Sequence, residues 1–256
     1  MPNYEIVSKD VHKNLRWKTI SNFKFAAHDA LCPLVLQEAP RAALHLPIAF
    51  SKTGEHFGLI VVQGLEVGSN YLVDFTGQWL GGYIPAAYRA YPFALATSED
   101  QQQILCFDID SGLLNSSEGH SFFDERGEPS AQIKQTLDFL YEVKVNHQIT
   151  HTLCLLLEEL DLLEPWPVSL KKDNIDVPVE GLFRVNETKF NILGADALLN
   201  LRDKGALPLI FCQLLSMQNL MRIGQSATSA GTTSAMPKEL PFDFAKDGGT
   251  INFDNL

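Results

Sequence analysis

"SAQIKQTLDFLYEVKVNHQITHTLCLLLEELDLL", residues 130–163, decides the fold class. Apolar residues fall at Ile133, Leu137, Leu140, Tyr141, Val145, Ile149, Leu153, Leu156, Leu157, Leu160 and Leu163. Steps of three and four place them on one helical face. Pro129 suits the entry to a first helical turn, and "EPWP" (164–167) ends the run. The stretch is long for one helix, and a break is expected near "VNHQ" (145–148).

The residues before this helix read differently. "FKFAAH" (23–28), "LPIAFS" (46–51), "FGLIVVQGL" (57–65), "NYLVDFT" (70–76), "PFALAT" (92–97) and "QILCFDI" (103–109) are short apolar or alternating runs. Turn-prone segments such as "SKTGEH" separate them, so they read as strands. The spacing leaves no room for βαβ crossovers, which predicts antiparallel pairing. Pro40 makes "LVLQEAPRAAL" (34–44) a bent helix or two short turns. Residues 111–128 form a loop with a turn at "DERG".

Past the helix, "PVSLKK", "IDVPVE" and "GLFRVNE" suggest short strands. "VNETKFNIL" leads into a helix with "GADALLNLRDKG" as its body, stopped by Gly205. "ALPLIFCQLLSMQNLMRI" (206–223) is a nearly unpatterned helix expected deep in the core. The fold expected is α+β: an antiparallel sheet from the N-terminal half, packed by the long central helix and two C-terminal helices. One domain spans 1–223. Residues 224–239 are small and polar and read as a flexible linker. Residues 240–256 form a tail that could dock as an edge strand.

Composition narrows the function. The net charge is −11, and basic residues form no stripe, so nucleic acid is not an expected partner. No run reaches the ~18–20 apolar residues of a membrane span. The N-terminus has no apolar core of a signal peptide, so the expected compartment is the cytoplasm. Cys32, Cys106, Cys154 and Cys212 sit singly in apolar contexts and read as buried thiols.

Most catalytic motifs are missing. "GQWLGGY" (77–83) is glycine-rich but has no basic residue for a phosphate loop. His147 and His151 lie four apart, the spacing of a zinc pair, but no third ligand is evident and they read as solvated. No G-x-S-x-G occurs. "QILCFDIDSGLL" (103–114) ends a strand in D-x-D and resembles the first motif of haloacid-dehalogenase-like phosphatases. That resemblance would make Asp108 a nucleophile, Asp110 an acid/base and Mg²⁺ the clamp. Against it stand Gly112 where threonine or valine is expected, the antiparallel strands before it, and no completing lysine and acidic pair. Asp108 and Asp110 otherwise cap the turns that follow. No cofactor or metal is expected on sequence grounds.

"YIPAAYRAYPF" (83–93) is the best recognition candidate. Trp79, Tyr83, Tyr91 and Phe93 bring ring area, and Arg89 could stack on a ring or clamp an anion. Pro85 starts a short helix, "AAYRA", and Pro92 ends it. Such a segment is either a corner of the core, with Arg89 paired to a carboxylate, or the wall of a pocket. The ligand-binding set expected is Trp79, Tyr83, Arg89, Tyr91 and Phe93.

These segments, in order, resemble the bacterial SapC-like proteins. The resemblance rests on "FKFAAHDALCPLVLQEAPRAALHLPIAF" (23–50), "GQWLGGYIPAAYRAYPF" (77–93), "LCFDIDSGLL" (105–114), "FFDERGEP" (122–129), "LLEP" (162–165), "GLFRVNETKFNIL" (181–193) and "GALPLIFCQLLSMQNL" (205–220). It implies an S-layer-related protein. It also implies a gene neighbourhood of tryptophan-halogenase-like proteins and TonB-dependent outer-membrane receptors. It supplies no catalytic residue. The expected function is a non-catalytic binding or accessory protein of a surface-layer or nutrient-uptake system. Its partner would be a small molecule, a glycan or a protein. The alternative is an enzyme with an acidic, Mg-dependent site at Asp108 and Asp110. An oligomeric scaffold, burying the same aromatics against a second copy, is the third reading.

Overall fold

The computed structural model describes residues 2–98, 100–172 and 175–223. The linker expected over 224–239 and the tail over 240–256 lie outside the described residues. The chain is α+β, and every strand pair is antiparallel. The strands divide among several sheets. A five-stranded sheet runs Leu163–Pro165, Phe183–Val185, Ile48–Thr53, His56–Val62, Leu31–Pro33. It therefore takes two strands from the second half of the chain. A three-stranded sheet runs Tyr4–Ile6, Gln103–Asp108, Phe93–Thr97. Smaller pairings join Arg16–Trp17 to Leu114–Asn115 and His120–Ser121, and Val168–Lys172 to Ile175–Val179.

The long helix is one unbroken element, Ala131–Glu159. Ser130 caps it by accepting from the Ile133 N–H at 3.3 Å. No break occurs at 145–148. The stripe expected there is also displaced. Tyr141, Val145 and Ile149 are exposed, while Asn146 and Thr150 are buried. Thr150 Oγ1 accepts from the Leu36 N–H at 2.8 Å and donates to the Asn146 carbonyl at 2.7 Å. Thr150 thus serves the start of the short turn Leu36–Glu38, whose backbone needs an acceptor, while the Asn146 amide donates to the Glu142 carbonyl at 3.0 Å.

Two expected strands are turns. "FKFAAH" forms the 3₁₀ turn Lys24–Ala26, with Asn22 accepting from the Lys24 N–H. In "NYLVDFT", Asp74 Oδ1 accepts from the Thr76 and Gln78 N–H groups, each at 2.8 Å. That local capture turns the chain and leaves only a Val73–Trp79 bridge. The C-terminal helix Leu207–Ser216 is not buried all round: Phe211 and Leu215 are exposed beside buried Leu209 and Ile210.

Two apolar clusters lie along the long helix. The larger packs Phe50, Val61, Leu153, Leu157 and Ile210 between the five-stranded sheet and the C-terminal helices. The smaller packs Trp17, Phe93, Phe107, Phe122, Ile133 and Leu140 under the three-stranded sheet. Tyr88 belongs to the first, and Ala90 and Phe93 to the second. The 83–93 segment is the seam between them.

Candidate functional site

Helix Ala86–Ala90 lies where the two prolines predict it. Glu38 secures its start. The carboxylate is buried; its Oε1 accepts from the Ala86 N–H at 2.6 Å and from the Tyr83 hydroxyl at 2.8 Å. Its Oε2 accepts from the Val35 N–H at 3.2 Å. Tyr88 is fixed from the opposite side. Its hydroxyl donates to Gln63 Oε1 at 2.8 Å, with Asp29 Oδ2 at 3.2 Å. Burial is the main reason the Tyr88 phenol is held protonated well above its ordinary range.

The segment faces three cavities. The largest, about 620 Å³, is lined by Phe25, Asp29, Tyr88, Tyr91, Asp108 and Asp110, with Tyr4 at its side. Phe25 and Tyr91 stack in it, centroids 4.0 Å apart at 14°. A second, about 360 Å³, is lined by Trp17, Arg89, Tyr91, Phe93, His120 and Phe139 among others. A third, about 430 Å³, has Glu38, Tyr83 and Arg89 in its wall. Tyr91 is the partition between the first two.

Tyr91 also joins the aromatic segment to the D-x-D strand end. Its hydroxyl donates to Asp108 Oδ2 at 2.8 Å. The other Asp108 oxygen accepts from the Asn3 N–H at 2.9 Å and the Asp110 N–H at 3.2 Å. Asp108 is buried and caps the 3₁₀ turn Ile109–Ser111; Asp110 is exposed. Burial, then the hydrogen bond to Asp108, pushes the Tyr91 phenol up.

Arg89 meets space on two sides. Its side chain is 46% exposed, and its guanidinium is 3.5 Å from Glu38 Oε1. That contact is at the outer limit of a hydrogen bond. The guanidinium lies over the Phe139 ring, 5.1 Å from its centroid, and 5.9 Å from that of Tyr83.

Trp79 plays a supporting part. It packs against Phe23 and Tyr88, and its indole N–H donates to the Tyr83 carbonyl at 3.1 Å. The glycines around it are there for fit. A Cβ on Gly82 would lie 2.4 Å from the His45 ring, and one on Gly81 2.8 Å from the Trp79 indole. Phe93 is buried, with its ring edge-on to Trp17 at 4.8 Å.

Sequence reasoning missed Phe25, Asp29, Glu38, Trp17, His120 and Phe139. They come from segments far from residue 83, and no local pattern marks them. His147 and His151 are exposed as expected, yet His151 meets His56 across the 5.7 Å of an edge-on ring pair. Among the described residues, no group of three His, Cys, Asp or Glu is placed to hold a metal ion. No described helix is long and apolar enough to cross a membrane.

No curated protein and no solved structure matches the chain. A family model does: SapC, over residues 7–223. The match takes in both apolar clusters, the Tyr91 partition and every residue placed in the site above except those preceding residue 7. On that coverage the chain belongs to the SapC family.

Proposed function

We propose that the protein is a non-catalytic binding or accessory protein, acting in a surface-layer or nutrient-uptake system. Its ligand site is the pair of cavities on either side of Tyr91. The observation that carries this reading is the economy of the wall: a single proline-bounded helix and the residue after it line both cavities. Their volumes, about 620 and 360 Å³, are those of small-molecule sites. Aromatic walls with a few polar groups are the usual composition of such sites.

The second reading, an acidic catalytic site, draws on the presence of Asp108 and Asp110 in the wall that holds Tyr88 and Tyr91. The hydrogen bonding favours the first. Both Asp108 oxygens are occupied by protein donors, the role of a turn cap rather than of a free nucleophile.

A thermal-shift screen tests the proposal. Purified protein is melted with divalent cations, aromatic amino acids, sugars and oligosaccharides, and each hit is repeated on Arg89→Ala and Asp108→Ala. A ligand of the native state raises Tm by mass action. An organic ligand whose shift vanishes in Arg89→Ala is the expected result. A Mg²⁺ shift lost in Asp108→Ala, accompanied by turnover, would replace the binding reading with the catalytic one.

A further inference from the structure

The larger of the two cavities beside Tyr91 carries charge of one sign. Asp29, Asp108 and Asp110 line it, and no Lys, Arg or His does. Among the described residues, none of the three carboxylates makes an ion pair. Like charges around one space repel, and a cation placed among them relieves the repulsion.

The three carboxylates differ in what they offer a ligand. Asp108 is 3% exposed and spends both oxygens on the Tyr91 hydroxyl and two backbone N–H groups. It contributes its field rather than a contact. Burial is the main reason the Tyr4 phenol is pushed up, and the Asp108 charge adds to it. Asp29 and Asp110 are exposed. Asp29 has one long hydrogen bond, from the Tyr88 hydroxyl at 3.2 Å, and that hydroxyl lies closer to Gln63. Among the described residues, the Asp110 carboxylate has no hydrogen-bond partner; only its backbone N–H is engaged.

The rings are an independent observation. Phe25 and Tyr91, both half-buried, stack at 4.0 Å in the cavity wall. Tyr88 stands edge-on to Phe25 at 5.7 Å, and Tyr4, 46% exposed, closes one side. Aromatic faces attract cations and bury apolar groups. A bare metal ion does not suit this wall, because no group of three His, Cys, Asp or Glu among the described residues is placed to hold one. An anion is repelled. A cation carried on an apolar body uses both the carboxylates and the rings, and about 620 Å³ has room for it.

We propose that the larger cavity binds an organic ammonium ion with an apolar body, its charge met by Asp29 and Asp110 and its body laid against Phe25 and Tyr91. This deepens the binding reading above and rests on it. Arg89 does not line this cavity, so the Arg89→Ala arm of the thermal screen reports on the smaller one.

The test uses three probes with one ring and different charge, benzylamine, benzyl alcohol and benzoate, titrated into the full chain. The readout is two-dimensional amide NMR. Benzylamine is expected to move the amides of Asp29, Ala87, Tyr91 and Asp110, benzyl alcohol to do so far more weakly and benzoate not at all. Asp110→Asn, at an exposed position, is expected to weaken benzylamine about threefold, and Asp29→Asn with Asp110→Asn about tenfold. Added salt should weaken it in the wild type and much less in the double variant. The inference is overturned if Asp110→Asn and the double variant bind benzylamine as well as wild type. Benzyl alcohol or benzoate moving the same amides as strongly as benzylamine would also overturn it, while leaving the binding-protein reading in place. Silence from all three probes overturns it too, and joined to a thermal screen without hits would remove both.

Discussion

The phenol of Tyr91 donates to a carboxylate oxygen of Asp108 at 2.8 Å, so the aromatic segment and the acidic strand end form one wall. Tyr91→Phe keeps the ring, its stacking on Phe25 and the partition between the cavities. It removes only the hydroxyl. Asp108 retains the Asn3 and Asp110 donors. The expected cost is about 1–2 kcal/mol of stability, that of one hydrogen bond to a charged group in a partly exposed site. Urea unfolding measures it, with an unchanged m-value showing that the fold is retained.

Glu38 is the fastening of the aromatic helix. Glu38→Ala strands the Ala86 and Val35 N–H groups in a buried place and takes the acceptor from the half-buried Tyr83 hydroxyl. A loss of about 3 kcal/mol or more is expected, because unmet buried donors carry their full desolvation cost. Glu38→Gln keeps the shape and an acceptor, and should lose less than half as much. Arg89→Ala should cost under about 1 kcal/mol, as its ion pair with Glu38 is long and half exposed. Chemical denaturation of the three variants gives the order directly.

Tyr83 makes stability fall in alkali. An unfolded tyrosine loses its proton near pH 10. In the fold, burial and then the Glu38 hydrogen bond push Tyr83 up to about 12. Between those values the unfolded state holds fewer protons, so unfolding becomes easier as pH rises. The contribution is complete below about pH 10 and gone by about pH 12. Tyr83→Phe should flatten part of the decline in Tm between pH ~10 and ~12, leaving the parts due to Tyr88 and Tyr91.

Thr150 tests the polar face of the long helix. Thr150→Val preserves the volume but removes the acceptor for the Leu36 N–H. A loss of about 1–3 kcal/mol is expected, read as a lower urea midpoint. If the site behaved as an ordinary apolar position, the valine would be neutral or stabilising.

Much of the architecture can be read from the chain alone. The hairpin Ile48–Thr53 with His56–Val62 follows from two apolar runs around "TGEH". The aromatic helix follows from Pro85 and Pro92, and the long helix from its start at Ser130. The middle of that helix is another matter. Tyr141, Val145 and Ile149 continue the period, yet the buried positions are Asn146 and Thr150. The partner of Thr150 is the Leu36 N–H, more than a hundred residues away, and no periodicity encodes it. "NYLVDFT" alternates like a strand, but Asp74 captures the amides after it and the local hydrogen bonds win. The site divides in the same way. Tyr91 and Arg89 are visible because aromatic rings, a cation and two prolines crowd one segment. Trp17 and Phe139 close the smaller cavity through tertiary packing of the small Trp17 sheet and the long helix.

The central claim is that ligand binds beside Tyr91. The most direct measurement is amide chemical-shift mapping with the strongest organic hit of the thermal screen. The account predicts that the perturbed amides cluster at Ala87–Phe93, with neighbours from Trp17 or from Asp108 according to which cavity is filled. The hairpin of Val168–Lys172 and Ile175–Val179 should stay unmoved. Perturbations confined to another face, such as that of His56 and His151, would contradict the claim.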